Sequence, residues 1–249
     1  MMQLKSVFVT GANRGIGLEF VKQLVKLPEP PSVIFASCRD PTKAEELKKI
    51  SESNSSVKII QMDIKDHDKF PQIRQQLEQE ISKDGLNLLI NNAGLLVQQN
   101  LSSVTKEAMM ESFEVNAVSP LLLAKELLPL LKTAVSKSSI PSMSAIRSGI
   151  VNITSKMGSI DDNTSGSHYP YRTSKTALNM ITKSLAVDLK THGIVAFVLH
   201  PGWVATDMGG KNAPINTRTS VEGMLNVILT ATEESCGGFF NYDGANILW

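Results

Sequence analysis

Short apolar runs and stretches of helical periodicity alternate along this chain. The run SVFVT at residues 6–10 is followed by a glycine-rich turn, then by Ile16, Phe20, Leu24 and Leu27 at helical spacing. Six further runs rich in Val, Ile and Phe follow: SVIFASC (32–38), VKIIQMD (57–63), LNLLINN (86–92), SGIVNIT (148–154), GIVAFVLH (193–200) and GGFFNYDG (237–244). Helical patterns lie between most of them. Seven strands with intervening helices predict an α/β fold: a mainly parallel, doubly wound sheet with helices on both faces. The runs are apolar throughout rather than alternating, which is what burial on both faces demands.

No composition shift marks a linker and no fixed-period repeat is present, so residues 1–249 read as a single domain. Two segments stand out. Residues 132–147, KTAVSKSSIPSMSAIR, are serine-rich and read as a flexible surface insertion. Residues 207–222, DMGGKNAPINTRTSVE, follow a strand end, where α/β enzymes place loops that cover ligands.

Charge narrows the function classes. Lys plus Arg number 25 against 24 Asp plus Glu, so no basic field is available to hold nucleic acid. The greasiest run, PLLLAKELLPLL, is broken by Lys125 and Glu126, and the N-terminal residues lack the pattern of a secretion signal. A soluble, cytoplasmic protein is expected, without a membrane partner. Cys38 and Cys236 are far apart and in no ligand spacing, in keeping with free thiols in a reducing compartment. The four histidines, His67, His168, His192 and His200, form no ligand pair, and no metal is implied.

Candidate chemistry begins at TGANRGIG. Gly11, Gly15 and Gly17, with Asn13, Arg14 and Ile16 between them, lie between the first strand and the first helix. Glycines let backbone approach a pyrophosphate, and the helix N-terminus favours its charge. At the end of the second strand, where an acid would grip the ribose 2′-hydroxyl of NAD, the chain reads Ser37-Cys38-Arg39. Arg39 and Arg14 instead suit a 2′-phosphate, so NADP(H) is the expected cofactor. Asp40 lies one position later and either arginine is also readable as a surface charge.

The stretch HYPYRTSK, 168–175, holds two of the chain's three tyrosines and a lysine. Tyr171 and Lys175 are four apart at the start of a helix marked by Leu178, Ile181, Leu185 and Leu189, so they share a face. A free phenol has a pKa of about 10, and a neighbouring ammonium is expected to lower it and make the tyrosine a usable acid or base. Tyr169 precedes Pro170, which biases it towards extended backbone, outside that helix.

With the glycine turn, Asn91-Asn92-Ala93-Gly94 and Y-x-x-x-K in view, the chain resembles the classical short-chain dehydrogenases/reductases across essentially its whole length. The order of motifs matches too: TGANRGIG, Asp63, NNAG, Val115-Asn116, Ile153-Thr154-Ser155, Tyr171 with Lys175, and Pro201-Gly202 followed by Thr206. Within the family, the arginine pattern, the serine-rich segment and the ending FNYDGANILW are similar to sniffer-type carbonyl reductases and their bacterial C-factor relatives. The insertion and the long gap from Ser155 to Tyr171 depart from the commonest family spacing.

The resemblance implies a Rossmann-type sheet and an NADPH-dependent reduction of aldehydes, ketones or quinones, with Tyr171 as proton donor. It gives Ser155, rather than its neighbours Thr154 or Ser159, the substrate oxygen. Lys175 takes the nicotinamide ribose hydroxyls, and Asn116 a water that relays protons towards Lys175. Asp63 and Ile64 would contact adenine, Asn91 with Asn92, Ala93 and Gly94 would shape the adenosine wall, and Pro201, Gly202, Val204 and Thr206 would reach the nicotinamide end. An apolar pocket framed by Trp203, Met157, Met208, Tyr169 and residues 95–97 is expected. Pairing into a homodimer or homotetramer would use the helices around 121–131 and 174–189. Two further readings share these residues: an NADP(H)-binding regulatory protein without turnover, and a reductase specific for a steroid, retinoid or pteridine.

Overall fold

Parity along the first strand, β1 (Ser6–Val9), shows how the sheet is covered. Val7 and Val9 join an apolar cluster on one face with Phe20, Leu24 and Met224, whereas Phe8 joins the opposite cluster with Leu77, Leu127 and Leu189. The same two-sided burial holds for β2 (Val33–Cys38), β4 (Leu88–Asn91) and β5 (Gly149–Ile153), in which every residue is buried. With β3 (Val57–Gln61), β6 (Val195–His200) and β7 (Phe239–Asn241) they form one sheet in the order β3-β2-β1-β4-β5-β6-β7, and all neighbours run parallel. This is the doubly wound sheet that the apolar runs predict. The protein is described here from a computed structural model, which covers residues 4–81 and 83–249.

Helices α1 (Gly15–Leu24), α2 (Glu45–Ser53) and α7 (Thr217–Thr230) cover one face, and α3 (Phe70–Ile81), α5 (Ser119–Lys137) and α6 (Tyr169–Leu189) the other. Helix α4 (Lys106–Phe113) packs against α6 and runs through a π-helical segment, Glu114–Val118, into α5. Winding reverses at β1, whose neighbours are β2 and β4, and a crevice opens above their carboxyl ends. Among the described residues no helix is long and apolar enough to cross a membrane.

Residues 132–147 are anchored, where the serine content suggested a flexible insertion. Lys132 to Lys137 complete α5, and Ile140, Ala145 and Ile146 are buried in the core beside Met224 and Ile228. The Ala145 amide donates to the Ala231 carbonyl at 3.1 Å, and Ser144 bridges to Thr232. Three apolar residues spread through a serine-rich run give no period, which hid the anchor. Ile146→Ala is expected to lower unfolding free energy by about 2–4 kcal/mol in a denaturant titration. A cost below about 0.5 kcal/mol would restore the surface reading. Residues 207–222 divide as well: a loop to Asn216, then the first turns of α7, capped where the Asn216 side chain accepts from the Thr219 amide at 2.8 Å.

Helix α6 begins at Tyr169, so Tyr169 lies inside the helix that Pro170 was expected to exclude it from. The reason is positional. Proline in the first turn lacks only an N–H that has no helical partner there, and His168, at φ 50° and ψ 37°, makes the sharp entry.

Candidate active site

Strand β5 delivers Thr154 and Ser155 to the carboxyl edge of the sheet, and α6 lays Tyr171 and Lys175 over them. Ser155 caps a short 3-10 turn, Lys156–Gly158, its Oγ accepting from the Met157 amide at 3.1 Å. The Ser155 side chain stands near the Tyr171 hydroxyl and acts to lower its pKa. Lys175 Nζ donates to the Ile153 carbonyl at 2.8 Å and stands 5.8 Å from the centre of the Tyr171 ring. Exposure separates the two tyrosines: Tyr171 is 8% exposed and Tyr169 37%. Burial beside Ser155, not exclusion from the helix, separates Tyr171 from Tyr169.

The electrostatics reverse one expectation. Burial pushes the Tyr171 phenol up to about 12, and the neighbouring Ser155 side chain only partly opposes this. The same burial pulls Lys175 down to about 8. The ammonium was expected to lower the phenol's pKa; it donates instead to the Ile153 carbonyl, and desolvation sets the direction of the shift. At neutral pH Tyr171 therefore holds its proton, which suits a donor.

Asn116 sits on the π-helical segment with its side chain engaged by protein. Its Nδ2 donates to the Leu95 carbonyl at 2.9 Å and to Ser174 Oγ at 3.0 Å, and its Oδ1 accepts from the Leu95 amide at 2.9 Å. Both donors are used, so the side chain straps the NNAG turn to α6, and only the second lone pair of Oδ1 is left for the expected water relay. Gly94 permits this approach: a Cβ there would fall 3.1 Å from Asn116 Oδ1 and 3.6 Å from Lys175 Nζ. Ser174, missed in the sequence reading, closes the strap by donating to the Tyr171 carbonyl at 2.8 Å. Its place inside Y-x-x-S-K was the available signal.

Beneath the site runs a buried polar ladder, also unanticipated. Asn91 Nδ2 donates to Asn152 Oδ1 (2.8 Å), and Asn152 Nδ2 to Thr182 Oγ1 (2.7 Å); beside them Thr154 Oγ1 donates to Asn179 Oδ1 (2.6 Å). These bonds tie β4, β5 and α6 in register, fixing Ser155 against Tyr171.

The glycine turn forms a cradle at the crevice. Gly11 has φ +65°, and a Cβ on Gly17 would lie 2.2 Å from the Gly11 carbonyl oxygen, so neither position takes a side chain. Thr10 Oγ1, another residue the sequence reading passed over, accepts from the Asn92 and Ala93 amides at 2.9 and 3.0 Å, and Asn92 Nδ2 donates to the Thr10 carbonyl at 2.9 Å. NNAG is thereby clamped to the turn. Arg14 caps α1 and Arg39 is exposed at the end of β2. Asp40 is occupied elsewhere: its carboxylate accepts from Thr42 N and Oγ1 at 2.9 and 2.6 Å and pairs with Lys43, bonds that hold it below the usual carboxylate range. Such a cradle, with two arginines and no free acid at the strand end, fits a dinucleotide carrying an extra phosphate.

Other expected contacts surround it. Ile64 is buried, and exposed Asp63 accepts from the Lys65 amide at 3.0 Å. Pro201 and Gly202 follow β6, Val204 is buried, and the Thr206 methyl lies 3.4 Å from where a Gly15 Cβ would be. Trp203, Met208 and Tyr169 present apolar surface at the rim. A cavity of about 510 Å³ lies beyond the Ser155 turn, and its lining of Lys156, Asp162, His200, Ile215 and Tyr242 is mixed rather than apolar. Neither Ser155 nor Tyr171 lines it, so it adjoins the reacting centre without containing it.

A family model described as short chain dehydrogenase matches residues 5–216. Among solved structures, the carbonyl reductase Sniffer of D. melanogaster is 41% identical with a TM-score of 0.97, covering 98% of this chain and 99% of that one. An NADPH-bound carbonyl reductase from chicken fatty liver is 38% identical with a TM-score of 0.95, covering 99% and 100%. The C-signal protein of Myxococcus xanthus is 41% identical over 165 residues, 66% of this chain and 93% of that protein. The match runs from the glycine cradle through Ser155, Tyr171 and Lys175 to the loop after β6, and on this ground the chain belongs to the short-chain dehydrogenase family.

Proposed function

We propose that the protein is an NADPH-dependent carbonyl reductase that takes aldehydes, ketones or quinones to alcohols with Tyr171 as proton donor. The observation that carries the reading is the meeting of Ser155, Tyr171 and Lys175 over the sheet edge where the glycine cradle opens. Similarity to the NADPH-bound chicken carbonyl reductase supports it.

NADPH, when bound, supplies the hydride. The turn formed by Gly11, Asn13, Arg14, Gly15, Ile16 and Gly17 holds its pyrophosphate, and Arg14 and Arg39 its 2′-phosphate. Asp63 and Ile64 lie at the adenine, with Asn92, Ala93 and Gly94 along the adenosine. Pro201, Gly202, Val204 and Thr206 hold the nicotinamide end. Lys175 binds the ribose hydroxyls. The Ser155 hydroxyl orients the substrate oxygen beside Tyr171, whose Oη gives its proton to that oxygen as charge develops there. Asn116 holds α6 at the distance this requires.

The same reading places the protein in the cytoplasm, with Cys38 and Cys236 as free thiols, and pairs copies through α5 and α6, where Met180 and Val187 stand exposed. The test follows NADPH and NADH absorbance with a panel of small quinones, diketones and aldehydes. NADPH is expected to be preferred by at least about tenfold in kcat/KM, the worth of one charge-assisted pair. A preference for NADH would overturn the roles of Arg14 and Arg39. Binding of NADPH with no turnover across the panel would favour a regulatory protein, and turnover confined to a steroid, retinoid or pteridine a dedicated reductase.

A further inference from the structure

Arg14 has a partner that neither the cofactor nor the chemistry requires. Its Nη1 lies 2.6 Å from Asp207 Oδ2, across 193 residues of sequence, and both side chains are largely exposed. Asp207 belongs to the loop between β6 and α7. That loop is closed at its base by the Val204 to Ile215 bridge and by the Ala205 amide donating to the Ile215 carbonyl at 2.7 Å. Inside it, the Gly209 amide donates to Thr206 Oγ1 at 3.1 Å, the Gly210 amide to the Thr206 carbonyl at 2.8 Å, and Trp203 Nε1 to the Gly209 carbonyl at 2.7 Å. These bonds all stay within the loop. Among the described residues, the Arg14–Asp207 pair is the polar contact that ties residues 203–214 to the protein outside the 201–216 loop.

We infer that Asp207 is a cofactor-specificity residue acting through Arg14: it competes with the 2′-phosphate for the Arg14 guanidinium, so that a 2′-phosphorylated nucleotide releases the loop and its unphosphorylated counterpart does not. The inference rests on the NADPH reading. Arg39, the second arginine at the cradle, forms no ion pair among the described residues, so only Arg14 must exchange one anion for another. A phosphate dianion outbids a single exposed carboxylate for a guanidinium, by charge and by bidentate geometry. An exposed ion pair is weak, so the competition is worth about two- to fivefold in affinity rather than orders of magnitude. Gly210 gives the freed loop tip room to move, with φ +78° and open space where a Cβ would be, while Gly209 stays packed against the Val204 carbonyl.

The test uses adenosine 2′,5′-bisphosphate and 5′-AMP, which lack a nicotinamide and so probe the phosphate alone. Loop release is read by trypsin cleavage after exposed Lys211, and affinity by titration calorimetry. For the wild type, the bisphosphate is expected to speed cleavage at Lys211 several-fold and 5′-AMP to leave it unchanged. Asp207→Asn is expected to cleave fast without nucleotide, to gain no further rate from the bisphosphate, and to bind it about two- to fivefold more tightly, with 5′-AMP affinity unaltered. Arg14→Ala should also cleave fast. If the bisphosphate binds well while wild-type cleavage does not change, or if Asp207→Asn alters neither rate nor affinity, the coupling is wrong although the cofactor reading stands. If the bisphosphate binds no better than 5′-AMP, the cofactor reading itself fails and the competition with it.

Discussion

Replacing Tyr171 with phenylalanine is expected to lower kcat for carbonyl reduction by about 10²–10⁴-fold while leaving the NADPH dissociation constant within about twofold. The substitution removes one hydroxyl from a side chain whose ring is already buried, so the packing of α6 survives and only the proton is lost. The hydroxyl holds its proton at any pH below about 12, and Ser155 is its polar neighbour. Without it the substrate oxygen must take a proton from water in a site walled by Ser155, Asn116 and Lys175. Tyr169→Phe supplies the control, because Tyr169 is exposed and its hydroxyl makes no hydrogen bond to any of these groups among the described residues. Equal losses from the two substitutions would mean that Tyr171 is not the donor. A large rise in the NADPH dissociation constant would mean that its hydroxyl serves binding instead.

Lys175→Met is expected to abolish turnover and yet stabilise the fold by about 1–2 kcal/mol at pH 7. Burial lowers Lys175 from its ordinary 10.5 to about 8, which amounts to about 3 kcal/mol spent on keeping an ammonium in this site at neutral pH. The methionine refunds most of that but leaves the Ile153 carbonyl without its donor, a loss of about 1 kcal/mol. The sign with pH follows from the same shift. Between about 8 and 10.5 the unfolded chain binds the lysine proton and the folded chain does not, so Lys175 makes wild-type stability rise with pH across that window. Tyr171 acts oppositely: raised from 10 to about 12, it makes stability fall as pH climbs through that higher range. Denaturant unfolding at pH 7, 8, 9 and 10 should show the rise in the wild type and its absence in Lys175→Met. A variant less stable than wild type at pH 7 would show that the ammonium is held by favourable bonds, not tolerated against its desolvation.

The two predictions share one origin. The side chains proposed to carry the chemistry are costly to bury, a phenol pushed up and an ammonium pulled down, and they lie over a polar ladder through Asn91, Asn152 and Thr182 that an apolar core would not need. On the proposed function, this short-chain dehydrogenase trades stability for a proton donor fixed beside a cofactor cradle.

Much of this was legible in the chain. Seven apolar runs with helical stretches between them could bury both faces only as a doubly wound parallel sheet, and that sheet is present. The spacing of Gly11, Gly15 and Gly17 announced a close backbone approach that any Cβ at Gly17 would block. Tyr171 and Lys175, one helical turn apart, had to share a face. Those features depend on local period and local sterics, which sequence carries directly.

What the tertiary structure alone decided involves residues far apart in the chain, where no period links them. Burial depth set the direction of the Tyr171 shift, because desolvation depends on what α6 lies against and not on its nearest charged neighbour. Asn116 straps the NNAG turn to α6 because the π-helical segment brings it to Leu95 and Ser174. Ile140, Ala145 and Ile146 turned a serine-rich segment into an anchor, because α7 lies where they can be buried against it. Arg14 met Asp207 across 193 residues, a pairing that exists only once the sheet has set the glycine turn beneath the loop after β6.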